Sequence, residues 1–273
     1  MKRWALRWAC FGALLGGAVA GLVYAPAAWL ANSVQDATGG RLLLADARGT
    51  LWNGSAVMVL TGGTGSRDAS ALPGRLHWTL GLDGAALALR ARQACCITGE
   101  LKLRVAPGLG RLRLELLSGT AAATTTTTGP APLLGQWPAA WLTGLGTPWN
   151  TLQPAGTLAL ASSGFAAESV QGRWIFSGRL ELELRNLSSS LSTLEELGSY
   201  HLSLQGDERG DAAQLQLSTS SGALQLAGSG QWAASKLRFN GQASAAPGAE
   251  AALGNLLNII GRRQGALSLI SIG

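Results

Sequence analysis

The sequence predicts a mainly β protein: one N-terminal transmembrane helix, then a curved antiparallel β-sheet domain, with short helices that include a C-terminal one. Three observations carry this. Apolar and polar residues alternate without a break through residues 179–185, 101–105, 111–116 and 214–217, and a period of two gives a strand one apolar and one polar face. Sheets packed on one side and wet on the other read this way, which favours antiparallel pairing over βαβ units. Only 13% of the chain is charged while 47% is hydrophobic, with 38 glycines and ten tryptophans, a composition of tight turns and packed sheet, not of disorder. Finally, Lys2, Arg3 and Arg7 precede a stretch with no charge before Asp36.

Residues 8–31, as a helix rising ~1.5 Å per residue, reach roughly 36 Å, enough for a hydrocarbon core of about 30 Å. Cations before it and none close behind predict a cytoplasmic tail over residues 1–7, a single pass of the inner membrane over 8–31 and a periplasmic remainder over 32–273. Trp4, Trp8, Tyr24 and Trp29 fall near its two ends, where amphipathic rings settle, and Pro26 ends or kinks the helix. The alternative is a signal peptide cleaved after Ala18-Val-Ala20, although the apolar run exceeds the ~7–15 residues of such a segment.

Strands are then expected at residues 41–45, 56–60, 76–82, 86–90, 101–105 and 111–116. After residue 118 the alternation stops: five threonines (124–128) and Gly129-Pro-Ala-Pro132 mark a linker over 118–136. Trp137, Trp141 and Leu142 at helical spacing predict a short helix within 133–146. Strands resume at 157–161, 173–177, 179–185, 199–205, 214–217, 223–227 and 236–242, so a duplicated plan with halves 41–117 and 155–245 stands beside one continuous sheet. Leu82-Asp-Gly84, Ser220-Ser-Gly222 and Trp52-Asn-Gly54 supply turn chemistry. Residues 249–260 place Leu253, Leu256, Leu257 and Ile260 on one helical stripe, with Gly261 as the expected left-handed cap and Arg262-Arg263 beside the negative end of the helix. That helix caps the sheet or docks a membrane partner. Residues 266–272 read as a last strand.

The sequence predicts no catalytic residue, no cofactor and no metal. His77 and His201 lack partners at metal-ligand spacing. No Gly-x-Ser-x-Gly occurs, and Gly62-Gly-Thr-Gly65 has no Lys-Ser/Thr after it. Glu181 and Glu183 lie on the solvent face of a regular strand. The net charge of +6 includes the N-terminal cations, and no basic patch with interleaved aromatics exists, which excludes nucleic acid as a partner. Cys10 lies in the expected span. Cys95 and Cys96 are adjacent in an oxidising compartment, where a vicinal disulfide at a turn competes with free or mixed thiols.

Four segments carry a resemblance: residues 44–56, which include Arg48-Gly-Thr-Leu-Trp-Asn-Gly54, and residues 197–206, 224–232 and 253–265. They resemble general secretion pathway protein N (GspN), the N component of the type II secretion system. The threonine tract is not part of that resemblance. The resemblance implies a non-catalytic accessory subunit of the inner-membrane platform. Its implied partners are the C, L and M components and the secretin. Apart from the resemblance, Trp52 before Asn53 and Gly54 puts a large ring at a hairpin corner, where it either caps the sheet end or meets a partner. The competing function is a periplasmic lipid-binding or lipid-transfer protein, with an apolar groove on a membrane-anchored sheet.

Overall fold

The computed structural model describes residues 2–118, 131–171, 173–206, 212–233 and 236–273, with backbone alone for residues 2–10 and 118. The threonine tract lies outside them. Two helices open the chain, α1 (Lys2–Val23) and α2 (Ala28–Ala37). The first set of strands is β1 (Leu42–Gly49), β2 (Asn53–Thr61), β3 (Ala69–Ala71), β4 (Leu76–Asp83), β5 (Ala86–Arg92), β6 (Leu101–Gly108) and β7 (Arg111–Ser118). β8 (Leu133–Pro138), a 3₁₀ helix (Ala139–Leu145) and α3 (Trp149–Leu152) lead into β9 (Ala155–Val170) and β10 (Arg173–Ser188). β11 (Gly198–Gly206), β12 (Ala212–Ser221), β13 (Leu224–Ala233) and β14 (Lys236–Ala245) follow. α4 (Glu250–Ile260), β15 (Arg262–Gln264) and β16 (Leu267–Ile272) close it.

Among the described residues, the strands form one 16-stranded antiparallel sheet, a meander in which nearly every strand pairs with its sequence neighbour. It stays unbroken where the linker was expected, because β7 pairs directly with β9, Arg111 opposite Val170. The alternating segments set the register: Leu182 lies opposite Leu160 on one side and Leu202 on the other, and Leu202 faces Leu217. Leucines thus form a row across one face, while Glu181, Glu183, His201 and Gln216 line the other.

Helices cover this leucine face at two places. Leu30, Ala31 and Val34 of α2 pack on Leu44, Ala56 and Trp78 of β1, β2 and β4. Leu253, Leu256 and Leu257 of α4 pack on Leu197, Tyr200, Leu224 and Ala243. Each of those α4 leucines is 2% exposed or less, and full burial of one stabilises by about 1.5–3 kcal/mol.

Several expectations need correction. The anchor is not one helix over residues 8–31: α1 ends at Val23, Pro26 forms an isolated bridge with Thr50, and Trp29-Leu30-Ala31 belong to α2. Leu30 and Ala31 are apolar because they meet the sheet, a cause hydropathy cannot separate from lipid. Among the described residues, no helix is long and apolar enough to cross a membrane. The helix expected within 133–146 is instead β8 plus a 3₁₀ turn. Trp137 pairs with Leu158 in the sheet, and the indole N–H of Trp141 donates to the Ser70 carbonyl at 3.0 Å. Asn53-Gly54 is not the turn of its hairpin, since both residues already belong to β2. Gly261 is extended (φ −167°) and not left-handed; a Cβ there would collide with the Leu269 carbonyl. Arg262 and Arg263 lie in β15, outside the last turn of α4.

A candidate interaction site at the helix–sheet junction

Of the positions singled out in the sequence, Trp52, Asn53 and Gly54 fall where α1 meets the sheet. Glycine shapes the hairpin before them. Gly49 has φ +86°, and a Cβ on it would come 2.6 Å from the Asn53 carbonyl. The loop then closes on itself: the Thr50 amide donates to the Asn53 carbonyl at 2.9 Å, and the Asn53 amide donates to Thr50 Oγ1 at 3.1 Å. Gly54 is demanded by a neighbour, because a Cβ on it would stand 2.5 Å from the Trp78 ring. Trp78 is buried beneath it and donates its indole N–H to the Leu51 carbonyl at 3.1 Å.

So built, the loop grips the chain between the two helices. The Leu51 amide donates to the Ala25 carbonyl at 2.7 Å, and the Ala27 amide to the Gly49 carbonyl at 3.1 Å. Ala25 and Ala27 are 0% and 1% exposed, and their methyl side chains let the two backbones approach this closely. Trp52, half-buried, donates its indole N–H to the Leu22 carbonyl at 2.8 Å. Leu22 stands in the last turn of α1, where carbonyls have no intrahelical donor. The Trp52 carbonyl in turn accepts from the Leu80 amide at 2.7 Å. A chain of backbone and indole bonds therefore ties the helix end to β4.

A charged brace stands behind this clasp. Asp46 sits in a β1 bulge with φ +50°. Arg75 donates to its carboxylate at 2.7 Å and to its own carbonyl at 2.6 Å, and through Nε to Ser55 Oγ at 3.1 Å. The hydrogen bond from Arg48, then that from Arg75, hold the Asp46 carboxyl below its ordinary value. No sequence pattern sets Arg75, Ala25 or Ala27 apart, and Asp46 stands out only as one residue of the 44–56 segment. The one signal for the alanines was their position around Pro26.

The other singled-out residues lie elsewhere. Leu253, Leu256 and Leu257 turn inward and Ile260 is half-buried, so α4 shows solvent its Asn255, Asn258 and Ile259 side. Tyr200 beneath it donates to the Leu224 carbonyl at 3.1 Å, and burial pushes its hydroxyl pKa up, with Glu196 adding to the effect. Cys95 and Cys96 are joined in a disulfide. Cys95 is exposed and Cys96 buried, and the Cys96 carbonyl accepts from the Gln136 amide at 2.7 Å, which sews this loop to β8.

The carboxylates are engaged by arginine. Glu183 meets Arg185 at 2.6 Å and Glu181 meets Arg179 at 3.5 Å. Glu115 sits between Arg113 at 2.7 Å and Arg104 at 3.3 Å. Burial works against ionising Glu115, yet the hydrogen bonds from Arg113 and Arg104 hold it below its ordinary value. His77 lines a cavity of about 430 Å³ with Arg92 and Gln93, and His201 a separate one of about 250 Å³ with Glu181 and Glu183. Among the described residues, no group of three or more His, Cys, Asp or Glu could hold a metal ion. What the junction can do is mechanical: it fixes how the sheet hangs from its N-terminal helix.

Residues 40–269 match the model of a family described as type II secretion system (T2SS), protein N. The match runs from just before β1 into β16 and leaves α1 and α2 outside. No curated protein and no solved structure matches the chain.

Proposed function

The chain belongs to the type II secretion system protein N family, and on that premise we propose that it is a non-catalytic accessory subunit of the inner-membrane platform. In this reading α1 is embedded in the inner membrane, and the sheet works in the periplasm. It acts through protein contacts with the bitopic C, L and M components and the secretin, in the export of folded proteins across the outer membrane. The observation that carries this is the extent of the family match: it takes in nearly the whole sheet and the α4 helix packed on it.

The arrangement of apolar surface supports this role over the lipid-carrying alternative. A lipid carrier would draw on the half-buried row Leu182, Leu202 and Leu217. Yet α4 occupies the leucine face over β11–β16, and an acyl chain passing along the row would have to displace its three buried leucines. The test is purification of the tagged full-length chain from membranes, with mass spectrometry of what accompanies it. Other type II platform subunits are expected. Stoichiometric lipid without any of those subunits would favour the alternative.

A further inference from the structure

The strand ends of the sheet fall at two rims. The β1–β2 loop and the β4–β5 and β6–β7 turns stand side by side at one of them, as the pairs Gly54–Trp78, Asp83–Ala86, Leu87–Val105 and Gly108–Arg111 require. α1 leaves the fold at this rim, its Leu22 carbonyl held by Trp52. α4 and the 189–197 loop lie at the opposite one.

The turns beside α1 are unusual in what they show to solvent. Leu82 is 79% exposed and Leu109 103%. A single exposed leucine is ordinary, but these occupy adjacent tips, next to a helix whose Leu14, Val19 and Leu22 are also more than half exposed. Two cations stand at the same rim. Arg111 and Arg173 flank Val170 at this rim, both exposed and without an ion pair to a described residue. Farther along the strands, Arg104, Arg113, Arg179 and Arg185 are each paired with a carboxylate. Asp83, the only carboxylate on the two leucine-bearing tips, is neutralised by Arg104 at 3.6 Å. Apolar tips with cations just behind them are the pattern of a segment that sits in a bilayer interface, side chains among the acyl chains and guanidinium groups on phosphates.

We propose that this rim is a second membrane contact: Leu82 and Leu109 insert into the interface of the bilayer that holds α1, and Arg111 and Arg173 engage anionic lipid headgroups. The proposal rests on the membrane-embedded reading of α1. It adds that the sheet stands on the membrane by its strand ends instead of swinging from a single helix.

The test uses the full-length chain in nanodiscs of phosphatidylcholine and phosphatidylglycerol, with one nitroxide label at a time in a Cys10→Ser background. Labels at Leu82→Cys and Leu109→Cys report the rim, Thr193→Cys the opposite rim, and Leu14→Cys the helix. Accessibility to oxygen against a water-soluble nickel complex gives depth. The expected result is a several-fold higher oxygen-to-nickel ratio at both rim positions than at position 193. Adding Arg111→Ala and Arg173→Ala, or omitting phosphatidylglycerol, should lower that ratio. A rim label as water-accessible as position 193, while position 14 reads as bilayer interior, overturns the rim contact and leaves the anchoring of α1 standing. A rim label shielded from both reagents indicates a protein contact and also overturns it. Position 14 reading as water brings down both ideas.

Discussion

The indole N–H of Trp52 caps the Leu22 carbonyl at the end of α1 at 2.8 Å, across 30 residues of chain. That bond joins the 48–54 motif of the resemblance to a helix outside the family match. Trp52→Ala should destabilise the protein by about 2–3 kcal/mol, the ring's lost burial plus the lost indole hydrogen bond, which leaves the Leu22 carbonyl only the 3.3 Å bond from the Ala25 amide. Trp52→Phe keeps most of the ring and should cost about 1 kcal/mol. Denaturant midpoints of the two variants check the order. Wild-type stability in both would mean the indole does not hold the helix.

Gly54 should tolerate no side chain. A methyl group at this position would stand 2.5 Å from the Trp78 ring, so Gly54→Ala forces the buried ring aside, and such overpacking costs about 1–3 kcal/mol. Thermal melts of Gly54→Ala and of Gly54→Ala with Trp78→Phe give the check. Partial recovery in the double variant is expected, since the smaller ring frees space.

Asp46 gives the junction a pH signature. Its folded pKa lies below the ordinary 3.8 because arginine hydrogen bonds favour the carboxylate, so the unfolded chain takes up the proton first as pH falls. The stability it contributes is therefore complete above the unfolded value and is lost as pH drops through the folded one. Asp46→Asn should be less stable than wild type at neutral pH, with the gap closing below about pH 4. Denaturation at a series of pH values measures this; a gap that stays constant into acid would contradict it.

The inward stripe of α4 should behave as core. Leu253→Ala and Leu256→Ala should each cost about 2–5 kcal/mol. Asn258→Ala, on the exposed side of the same helix, should change stability by no more than about 0.5 kcal/mol. Equal small effects at all three positions would mean that α4 is loosely docked and available to a partner.

Much of the sheet was legible because alternation is a backbone property. Leu180 to Leu184 face Leu204 to Tyr200 residue by residue, as their period demands. The length of β9 and β10 was not. Each is a 16-residue strand carrying a register shift near Gly178, whose positive φ and contact with Gly164 no local pattern announces. The anchor was misjudged for a different reason. Leu30 and Ala31 are apolar toward the sheet, and composition alone does not say what an apolar residue will meet. At the junction, the motif 48–54 stood out in sequence, but its partners Leu22, Ala25 and Arg75 come from elsewhere in the chain and emerge only with the fold.

A sheet proposed to work by touching other secretion subunits should be found against them in the cell. Photo-cross-linking in intact cells tests it most directly, with a photoreactive residue placed in turn at exposed positions of the polar face and rims, Thr193 and Gln216 among them. Discrete adducts with type II platform components are expected, and they should vanish when the rest of the system is deleted. Absence of such adducts at every position, with the chain folded and abundant in the membrane fraction, would contradict it.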